Sequence, residues 1–279
     1  MSASSTTSMI VTSRDGGVIA YTSVGSGPSV IVVPGALATT GTYREFARHL
    51  ANRFTVHVIE RRGRGASCPQ GDDYQIAKER DDVLALQRAT GASYLVGHSY
   101  GGLIALEAAR GNAQLAKLAV YEPGVSIGGS IPVGWIPAVE QWLAMGRPLD
   151  ALAEFSLAAG PEHARRMPRW LMRWLLPYVV GKEPLAEMIG LLPTTIPEHR
   201  ELARLDSSAA NYRDIGANVL LMSGGRSRLS WVNRTFEALR DVLPRSERLE
   251  FPSLDHFGLP QGAPREVARA VGDYFQHVT

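Results

Sequence analysis

The stretch Tyr-Leu-Val-Gly-His-Ser-Tyr-Gly-Gly, residues 94–102, decides the fold of this 279-residue chain. Its first residues are apolar, as in a buried strand, and an apolar helical pattern follows from Leu103 to Arg110. A strand that runs through Gly-x-Ser-x-Gly into a helix is the context that a nucleophile elbow requires. Side chains at Gly97 and Gly101 would collide with neighbouring backbone, and the turn presents the Ser99 hydroxyl at a helix N-terminus. We therefore predict that Ser99 is a nucleophile; the alternative is a chance match in a loop.

Short apolar runs rich in β-branched residues recur on both sides of this stretch and predict strands. They lie at Val18–Val24, Ser29–Pro34, Thr55–Glu60, Tyr94–Gly97, Leu118–Glu122, Val219–Ser223 and Glu247–Pro252. Helical patterns lie at Gln75–Thr90, Leu103–Arg110, Trp231–Leu243 and Pro264–His277. This alternation predicts an α/β fold with a doubly wound, mostly parallel sheet. The site is expected at the carboxyl ends of the strands, where such folds bind their ligands.

The alternation stops between about Pro123 and Asp214, where prolines and helical patterns dominate. We interpret residues 124–214 as an inserted helical cap or lid, and residues 1–123 with 215–279 as the α/β core. Four of the five tryptophans lie in this insertion, at Trp135, Trp142, Trp170 and Trp174. Large aromatic side chains suit an apolar pocket, so we expect them to line a substrate site. The alternative is that they only pack the lid onto the core.

Composition excludes several classes of protein. Hydrophobic residues make up 45% of the chain, which excludes disorder for its bulk, and the net charge of +2 gives no indication of a nucleic-acid or membrane partner. The single cysteine, Cys68, excludes an intramolecular disulfide and a zinc site with two Cys ligands. Met1–Met9 lacks the regions of a signal peptide and is interpreted as a frayed tail, and Trp170–Gly181 is too short to span a bilayer. We predict a cytoplasmic protein and leave its oligomeric state open.

Two further segments resemble the α/β-hydrolase family, and the resemblance extends over nearly the whole chain. Val30–Ala36 is similar to the third strand and oxyanion loop of that family, with Pro-Gly where the family usually has His-Gly. Glu60–Ser67 is similar to the Arg-Gly-x-Gly turn after strand four. The resemblance implies an eight-stranded sheet and acyl transfer by a Ser–His–acid triad, with no cofactor and no metal. It also implies that the N–H groups of Ala36 and Tyr100 form the oxyanion hole.

Elimination and the resemblance together point to His256 as the base. The other six histidines precede Ser99, adjoin it, or lie in the presumed lid or at the C-terminus: His49, His57, His98, His163, His199 and His277. His98 is expected to be a packed residue, because it adjoins the elbow. His256 follows the last predicted strand, in a loop that opens at the same sheet end as Ser99, where the family places its histidine. The alternative is a histidine of a surface loop.

The acid departs from the usual family pattern. The loop after strand seven, residues 223–230, contains no carboxylate, and Ser227 stands where the family commonly has Asp. Glu122 lies at the end of strand six, where some family members, including lactonases of the zearalenone-hydrolase type, place their acid. We therefore predict Glu122 as the acid. The alternatives are that Asp255 or Asp206 orients the histidine and that Glu122 is a polar strand cap.

Together these residues predict a serine hydrolase that cleaves a carboxylic ester or lactone of an apolar small molecule. Ser99 would attack the carbonyl, His256 would transfer the proton, and Glu122 would orient the imidazole. Three other functions stay open on the same residues. They are a cofactor-free haloperoxidase or perhydrolase, a carbon–carbon bond hydrolase, and a non-catalytic receptor for a small ligand.

Overall fold

The computed structural model describes residues 7–160 and 164–277, and within these ranges the chain forms eight β-strands and nine α-helices. The strands are β1 (Thr7–Thr12), β2 (Val18–Gly25), β3 (Ser29–Val33), β4 (Thr55–Ile59), β5 (Tyr94–His98), β6 (Lys117–Tyr121), β7 (Asn218–Gly224) and β8 (Ser246–Phe251). The helices are α1 (Arg44–Leu50), α2 (Ile76–Thr90), α3 (Tyr100–Ala109), α4 (Ile136–Ala144), α5 (Pro148–Ala159), α6 (Arg169–Val180), α7 (Lys182–Arg204), α8 (Trp231–Val242) and α9 (Pro264–Gln276). Strands and helices alternate from β3 to β6 and from β7 to α9, as the sequence predicts.

All eight strands form one sheet, in the order β1-β2-β4-β3-β5-β6-β7-β8. β2 pairs antiparallel with β1 and with β4, and every other neighbouring pair is parallel. The predicted α/β fold with a mostly parallel, eight-stranded sheet is thereby confirmed. In the register of β5 against β6, His98 lies opposite Tyr121. The residues that follow them, Ser99 and Glu122, consequently leave the sheet side by side at its carboxyl edge.

The sheet is covered on both faces, and β3 illustrates why its sequence is apolar without interruption. Successive side chains of a strand point to opposite faces. Ile31 and Val33 enter the cluster that contains α2 and α3, whereas Val30 and Val32 enter the cluster that contains α1 and α9. All four side chains are buried, and each burial stabilises the fold by roughly 2 kcal/mol. A strand with both faces buried therefore shows no polar alternation.

The N-terminal segment corrects one expectation. Thr7–Thr12 forms β1 and pairs with β2, so the prediction of a frayed tail over Met1–Met9 is wrong for residues 7–9. Residues 1–6 of that tail lie outside the described residues. β1 is an edge strand whose Met9 and Ile10 are exposed, so it has none of the buried apolar pattern by which the other strands were predicted. Backbone pairing with β2 holds it in place.

The segment between β6 and β7, residues 124–214, is called the insert below. Its described residues contain α4 to α7 and no strand. Leu192 and Ile196 of α7 belong to the apolar cluster of the insert. Leu202, later in the same helix, belongs to the core cluster that contains α2 and α3. Helix α7 therefore joins the insert to the core; that the insert acts as a lid stays a prediction. No helix within the described ranges is long and apolar enough to cross a membrane.

Candidate active site

Ser99 lies in the sharp turn between β5 and α3, with φ 55° and ψ −124°. The Gly102 N–H donates to the Ser99 carbonyl at 2.8 Å, and this hydrogen bond lies in the first turn of α3. A Cβ atom at Gly97 would lie 2.6 Å from the Gly101 oxygen, and one at Gly101 would lie 2.2 Å from the Val33 oxygen. Both distances are far below van der Waals contact, so this turn accepts only glycine at the two positions. The elbow geometry predicted from the sequence is present.

Unfavourable backbone conformations concentrate at the same edge of the sheet. Four non-glycine residues of the described chain have positive φ, and three of them follow β3, β5 and β6. They are Leu37 (φ 51°), Ser99 (φ 55°) and Glu122 (φ 42°), and the fourth is Ser207. Each such conformation costs of order 1–3 kcal/mol and persists only where surrounding contacts impose it. Their clustering is typical of a functional site.

Glu122 and His256 meet beside Ser99. The Nδ1 atom of His256 lies 2.7 Å from Glu122 Oε2. The Glu122 side chain is fully buried, whereas the His256 side chain is 17% exposed. An ionised carboxylate only accepts hydrogen bonds, so His256 Nδ1–H is the donor and Nε2 carries the free lone pair. This is the tautomer in which a histidine accepts a proton from a serine.

Backbone hydrogen bonds tie the elbow to the loops that carry Glu122 and His256. The Ser99 N–H donates to the Tyr121 carbonyl at 3.0 Å, and the Gly124 N–H donates to the Ser99 carbonyl at 2.8 Å. From the residue before the elbow serine, His98 Nε2–H donates to the His256 carbonyl at 2.8 Å. The loops that carry Glu122 and His256 are therefore tied to the elbow of Ser99, and the catalytic role of the three residues stays a prediction.

The end of β7 and the loop after it supply two more donors to the Glu122 carboxylate. The Gly224 N–H donates to Oε1 and the Ser227 hydroxyl donates to Oε2, each at 2.9 Å. Ser227 stands where an Asp was expected, and it supports the acid of the neighbouring strand instead. The sequence analysis identified the position and assigned it no role. The contact arises because β6 and β7 are neighbours in the sheet, which no local sequence pattern indicates.

The two other candidate acids bind elsewhere. Asp255 is exposed, and its Oδ1 accepts from the Phe257 N–H at 2.9 Å. Asp206 Oδ1 accepts from the Ser126 hydroxyl and from the Gly129 N–H. Among the hydrogen bonds of the described residues, the carboxylate on the His256 ring is that of Glu122.

His98 does more than pack beside the elbow. The Gly35 N–H donates to Tyr43 Oη at 2.9 Å, the Tyr43 hydroxyl donates to His98 Nδ1 at 2.6 Å, and His98 Nε2–H donates to the His256 carbonyl. Burial, together with the adjacent His256, lowers the pKa of His98 well below its usual range. His98 is therefore neutral and connects the loop after β3, which contains Gly35, to the loop of His256. No local sequence pattern indicates this connection.

The predicted oxyanion donors lie on either side of Ser99. Ala36 follows β3, and the preceding Gly35 is so close to the elbow that a Cβ there would lie 3.2 Å from Ser99 Cβ. Tyr100 is the first residue of α3. Within the described ranges, neither the Ala36 nor the Tyr100 N–H donates a hydrogen bond to the protein. Both groups are thus available to an oxygen atom of a ligand, and their role stays a prediction.

A buried cluster of charges lies against the oxyanion loop. Arg61 donates through Nε and Nη2 to Glu79 at 2.7 and 2.6 Å, and also to Glu198 at 2.8 Å. Arg64 donates to the same Glu198 oxygen at 2.8 Å. Burial acts to lower the pKa of Arg61, but the charges of Glu198 and Glu79 outweigh it and hold that pKa above its usual range. The two guanidinium groups are thus balanced by two carboxylates.

Trp135 is the predicted pocket residue with ring contacts that lead toward the elbow. Its buried ring meets the rings of Phe155 and His199 edge-on, with centroids 4.9 and 5.0 Å away. The His199 ring in turn is nearly parallel to that of Tyr100, at 6.5 Å. Burial lowers the pKa of His199, so this histidine is neutral and belongs to an aromatic contact chain between insert and elbow.

The other three predicted pocket residues have no ring contact that leads to the elbow among the described residues, so a pocket lined by all four tryptophans stays a prediction. The guanidinium carbons of Arg147 and Arg169 lie over the Trp142 ring, 4.5 and 4.0 Å from its centroid. Trp170 and Trp174 are 69% and 58% exposed on α6. The opposite side of α6 packs against α5 and α7, so these two rings face solvent.

Three of the remaining histidines have partners outside the site or lie at the chain end. His49 is beside Glu45 on α1, at 3.8 Å, and His57 bonds the Ser23 hydroxyl at 2.7 Å. His277 follows the last helix. His163 lies outside the described residues.

The sheet topology and this arrangement of serine, histidine and carboxylate define a hydrolase of the α/β class. The chain belongs to the alpha/beta hydrolase family, whose model matches residues 30–270. A solved structure of similar shape is an alpha/beta hydrolase from Sphaerobacter thermophilus DSM 20745, with a TM-score of 0.81 and 28% identity. The match covers 96% of this chain and 100% of that one.

Two curated relatives are also similar to this chain. The 2-(acetamidomethylene)succinate hydrolase of Mesorhizobium japonicum is 25% identical over 90% of this chain and 88% of its own length. The N-formylmaleamate deformylase of Pseudomonas putida is 35% identical over 106 residues, which are 37% of this chain and 40% of that protein. The latter match therefore spans less than half of the deformylase.

Proposed function

We propose that this protein is a serine hydrolase that cleaves a carboxylic ester or lactone of an uncharged, largely apolar small molecule. Ser99 Oγ attacks the carbonyl carbon while His256 Nε2 accepts its proton. The N–H groups of Ala36 and Tyr100 bind the oxyanion, and each such donor is typically worth roughly 10²–10³ in kcat. His256 then protonates the leaving alcohol, and water repeats these steps on the acyl-enzyme.

The hydrogen bond of 2.7 Å between His256 Nδ1 and Glu122 Oε2 carries this proposal. A buried carboxylate at Nδ1 serves to hold the imidazole in one orientation and to stabilise the imidazolium that forms during attack. The elbow of Ser99 and the register of β5 against β6, which puts Ser99 beside Glu122 at the carboxyl edge of the sheet, support Ser99 as the nucleophile. A receptor that only bound a ligand would have no need of this arrangement.

The charge balance near the oxyanion loop supports an uncharged substrate. The guanidinium groups of Arg61 and Arg64 are fully buried, and Glu79 and Glu198 match their charges. A carboxylate on the substrate would find no unpaired charge on these two arginines. Trp135 and its ring partners offer apolar contacts on the insert side of the elbow.

The relatives favour one second candidate, the hydrolysis of a small N-acyl compound. The names of the two curated relatives denote a formyl-amide and an acetamido substrate. Attack by Ser99 on an amide carbonyl uses the same groups, and His256 would protonate a leaving nitrogen instead of an oxygen. The two candidate functions use the same residues and differ only in the bond that is cleaved.

Covalent labelling tests the nucleophile. An alkyl p-nitrophenyl phosphonate should modify the parent protein once, and peptide mass spectrometry should place the adduct on Ser99. The Ser99→Ala variant should keep its fold by circular dichroism and lose activity by at least about 10⁴-fold. Full activity in that variant, or an adduct at another residue, would overturn the proposed mechanism.

A matched substrate panel tests the scissile bond. It pairs p-nitrophenyl esters of increasing acyl length with the corresponding anilides, and small with macrocyclic lactones. We expect kcat/KM to be higher for esters than anilides and to rise with apolar acyl length. Higher kcat/KM on N-acyl substrates would favour the second candidate, and peracid-dependent bromination without ester cleavage would favour a perhydrolase.

A further inference from the structure

We infer that Arg61 and Arg64 position the oxyanion loop for catalysis, and that Glu198 of the insert holds both guanidinium groups in place. These three residues are called the loop clamp below. The inference rests on the proposed function, because it concerns the direction in which the Ala36 N–H points. They are positioning residues that act through the backbone of the loop.

The clamp grips the loop at two points. Arg61 Nη1 donates to the Gly35 carbonyl, and Arg64 Nε donates to the Ala38 carbonyl, both at 3.0 Å. Between these two carbonyls the chain passes through Leu37, whose φ of 51° is unfavourable for a residue with a side chain. The loop therefore needs support from outside, and the two arginines provide it on both sides of the turn.

Glu198 joins the two arginines from a different part of the molecule. Its Oε1 accepts from Arg61 Nη2 and Arg64 Nη2, each at 2.8 Å, and from Gln70 Nε2 at 3.3 Å. Its side chain is fully buried, and within the described ranges its Oε2 has no hydrogen-bond partner. All hydrogen bonds from Glu198 of α7 to the two arginines and to Gln70 are therefore made by its Oε1 atom.

The shape of the guanidinium group explains why arginine is used. A guanidinium carries its donors in a rigid planar fork, whereas a lysine ammonium is a single point. Arg64 uses Nε for the loop and Nη2 for Glu198, so both contacts fix its plane. A lysine at this position can keep one of the two contacts and loses the forked geometry.

Arg62 provides a matched control. It lies between the two clamp arginines in sequence, its side chain is almost as deeply buried, and it is also paired with carboxylates. Its side-chain partners are Asp82 and Asp15, and none of these side-chain contacts reaches the oxyanion loop among the described residues. The Arg62 carbonyl accepts from Arg64 Nη1 at 3.2 Å, and this backbone acceptor is kept when the side chain is replaced. Replacing Arg62 perturbs a buried ion pair and leaves the loop untouched.

A misaligned oxyanion donor weakens the transition state more than the bound substrate. A merely structural role would lower the melting temperature and leave kcat of the folded fraction unchanged. A positioning role lowers kcat with little change in KM. It also weakens inhibition by an alkyl boronic acid, whose tetrahedral serine adduct places an oxygen in the oxyanion hole.

The experiment compares Arg64→Lys with Arg62→Lys in the full-length protein. For each variant we would measure the melting temperature, kcat and KM on p-nitrophenyl butyrate, and the Ki of butylboronic acid. For Arg64→Lys we expect kcat to fall about 10- to 100-fold, Ki to rise by a similar factor, and KM to stay within about threefold. For Arg62→Lys all three constants should stay within about threefold.

Glu198→Gln keeps the test decisive if Arg64→Lys fails to fold. Glutamine preserves the shape and one acceptor oxygen but removes the charge that both arginines share. We expect kcat to fall about 3- to 10-fold with a parallel rise in the boronic acid Ki. An unchanged kcat and Ki in a folded Glu198→Gln variant would overturn the clamp.

Two outcomes separate the clamp from the proposed function. If the parent is labelled at Ser99 but Arg64→Lys and Arg62→Lys lower kcat alike, the clamp is wrong and the function stands. If the parent is neither labelled by the phosphonate nor active on any ester or amide, the proposed function is wrong and the clamp falls with it.

Discussion

Glu122, the predicted acid, directly follows β6, and the loop after β7 contributes the Ser227 hydroxyl where an Asp was expected. The side chain of a glutamate is one methylene longer than that of an aspartate, and Glu122 extends from the neighbouring strand to His256 Nδ1. Its carboxylate is held by the Gly224 N–H and the Ser227 hydroxyl. The predicted acid thus follows β6 and its supporting hydroxyl follows β7, whereas the family commonly has its acid after strand seven.

The first prediction concerns the acid itself. Glu122→Gln keeps the shape of the side chain but can present an amide donor to Nδ1 where an acceptor is needed. We expect kcat to fall by about two to four orders of magnitude, with slower phosphonate labelling of Ser99 and an intact fold. Steady-state kinetics and circular dichroism measure these changes.

Asp255→Asn and Asp206→Asn are the controls for this variant. Both carboxylates have other partners, so each substitution should cost about tenfold or less. If Glu122→Gln stays within a few-fold of the parent while one of the two controls loses activity, the acid is that other residue.

The second prediction concerns the support of the acid. Ser227→Ala removes one of the donors to Glu122, and the Gly224 N–H remains. We expect kcat to fall by roughly 3- to 10-fold at unchanged KM, because the carboxylate is held less firmly. Ser230→Ala, an exposed serine of the same loop, should leave kcat unchanged. Equal kcat in the two variants would contradict the role of Ser227.

At the scale of elements, the junction of β5 and α3 depends on close approach of backbone to backbone. Our third prediction compares two glycines that both lie in helices. In Gly101→Ala the new Cβ would lie 2.2 Å from the Val33 oxygen, so we expect a loss of about 3 kcal/mol or more in the free energy of unfolding. Gly190→Ala in α7 meets no neighbour within 4 Å and should gain about 0.5–1 kcal/mol. Urea unfolding measures both; equal changes would show that the elbow is not tight.

Helix α7 is the element that connects the insert to the catalytic edge. It contributes Glu198 to the loop clamp, and its Glu187 accepts from the Thr39 hydroxyl, which follows the oxyanion loop, at 2.8 Å. Pro193 and Pro197 lie inside this helix, where each removes one backbone N–H donor. The helix interior therefore lacks two backbone hydrogen bonds, and packing of its buried residues offsets part of that loss.

At the scale of the whole molecule, buried neutral histidines make stability depend on pH, and the fourth prediction concerns His98. Burial lowers its folded-state pKa well below the ordinary value of 6.5. Between these two values the unfolded chain binds a proton that the folded chain does not, so stability falls as the pH falls below about 6.5. In His98→Gln the loss of unfolding free energy should be smaller, by up to about 1.4 kcal/mol per pH unit.

Denaturant unfolding between pH 8 and pH 5 measures this difference. Above about pH 7 the two curves of unfolding free energy against pH should run parallel, because His98 is neutral in both states there. Parallel curves over the whole range would mean that the His98 pKa is not lowered by folding.

Much of the fold was predictable because the hydrophobic pattern of each short segment indicates whether it forms a strand or a helix. Continuous apolar runs indicate strands buried on both faces, and the structure has strands at every predicted run. The edge strand β1 was missed, because an edge strand with exposed Met9 and Ile10 needs no apolar pattern and is held by its neighbour's backbone.

The sequence by itself determined the strands of the sheet core and the elbow of Ser99, because each depends on residues close together in the chain; it singled out His256 and Glu122 only with the help of the family resemblance. Only the tertiary structure decided the path through His98, the donation from Ser227 and the clamp of Arg61 on Glu198. The last two join residues 105 and 137 positions apart. Such contacts depend on which strand ends and helices become neighbours, and that is settled by packing of the whole chain and not by any local pattern.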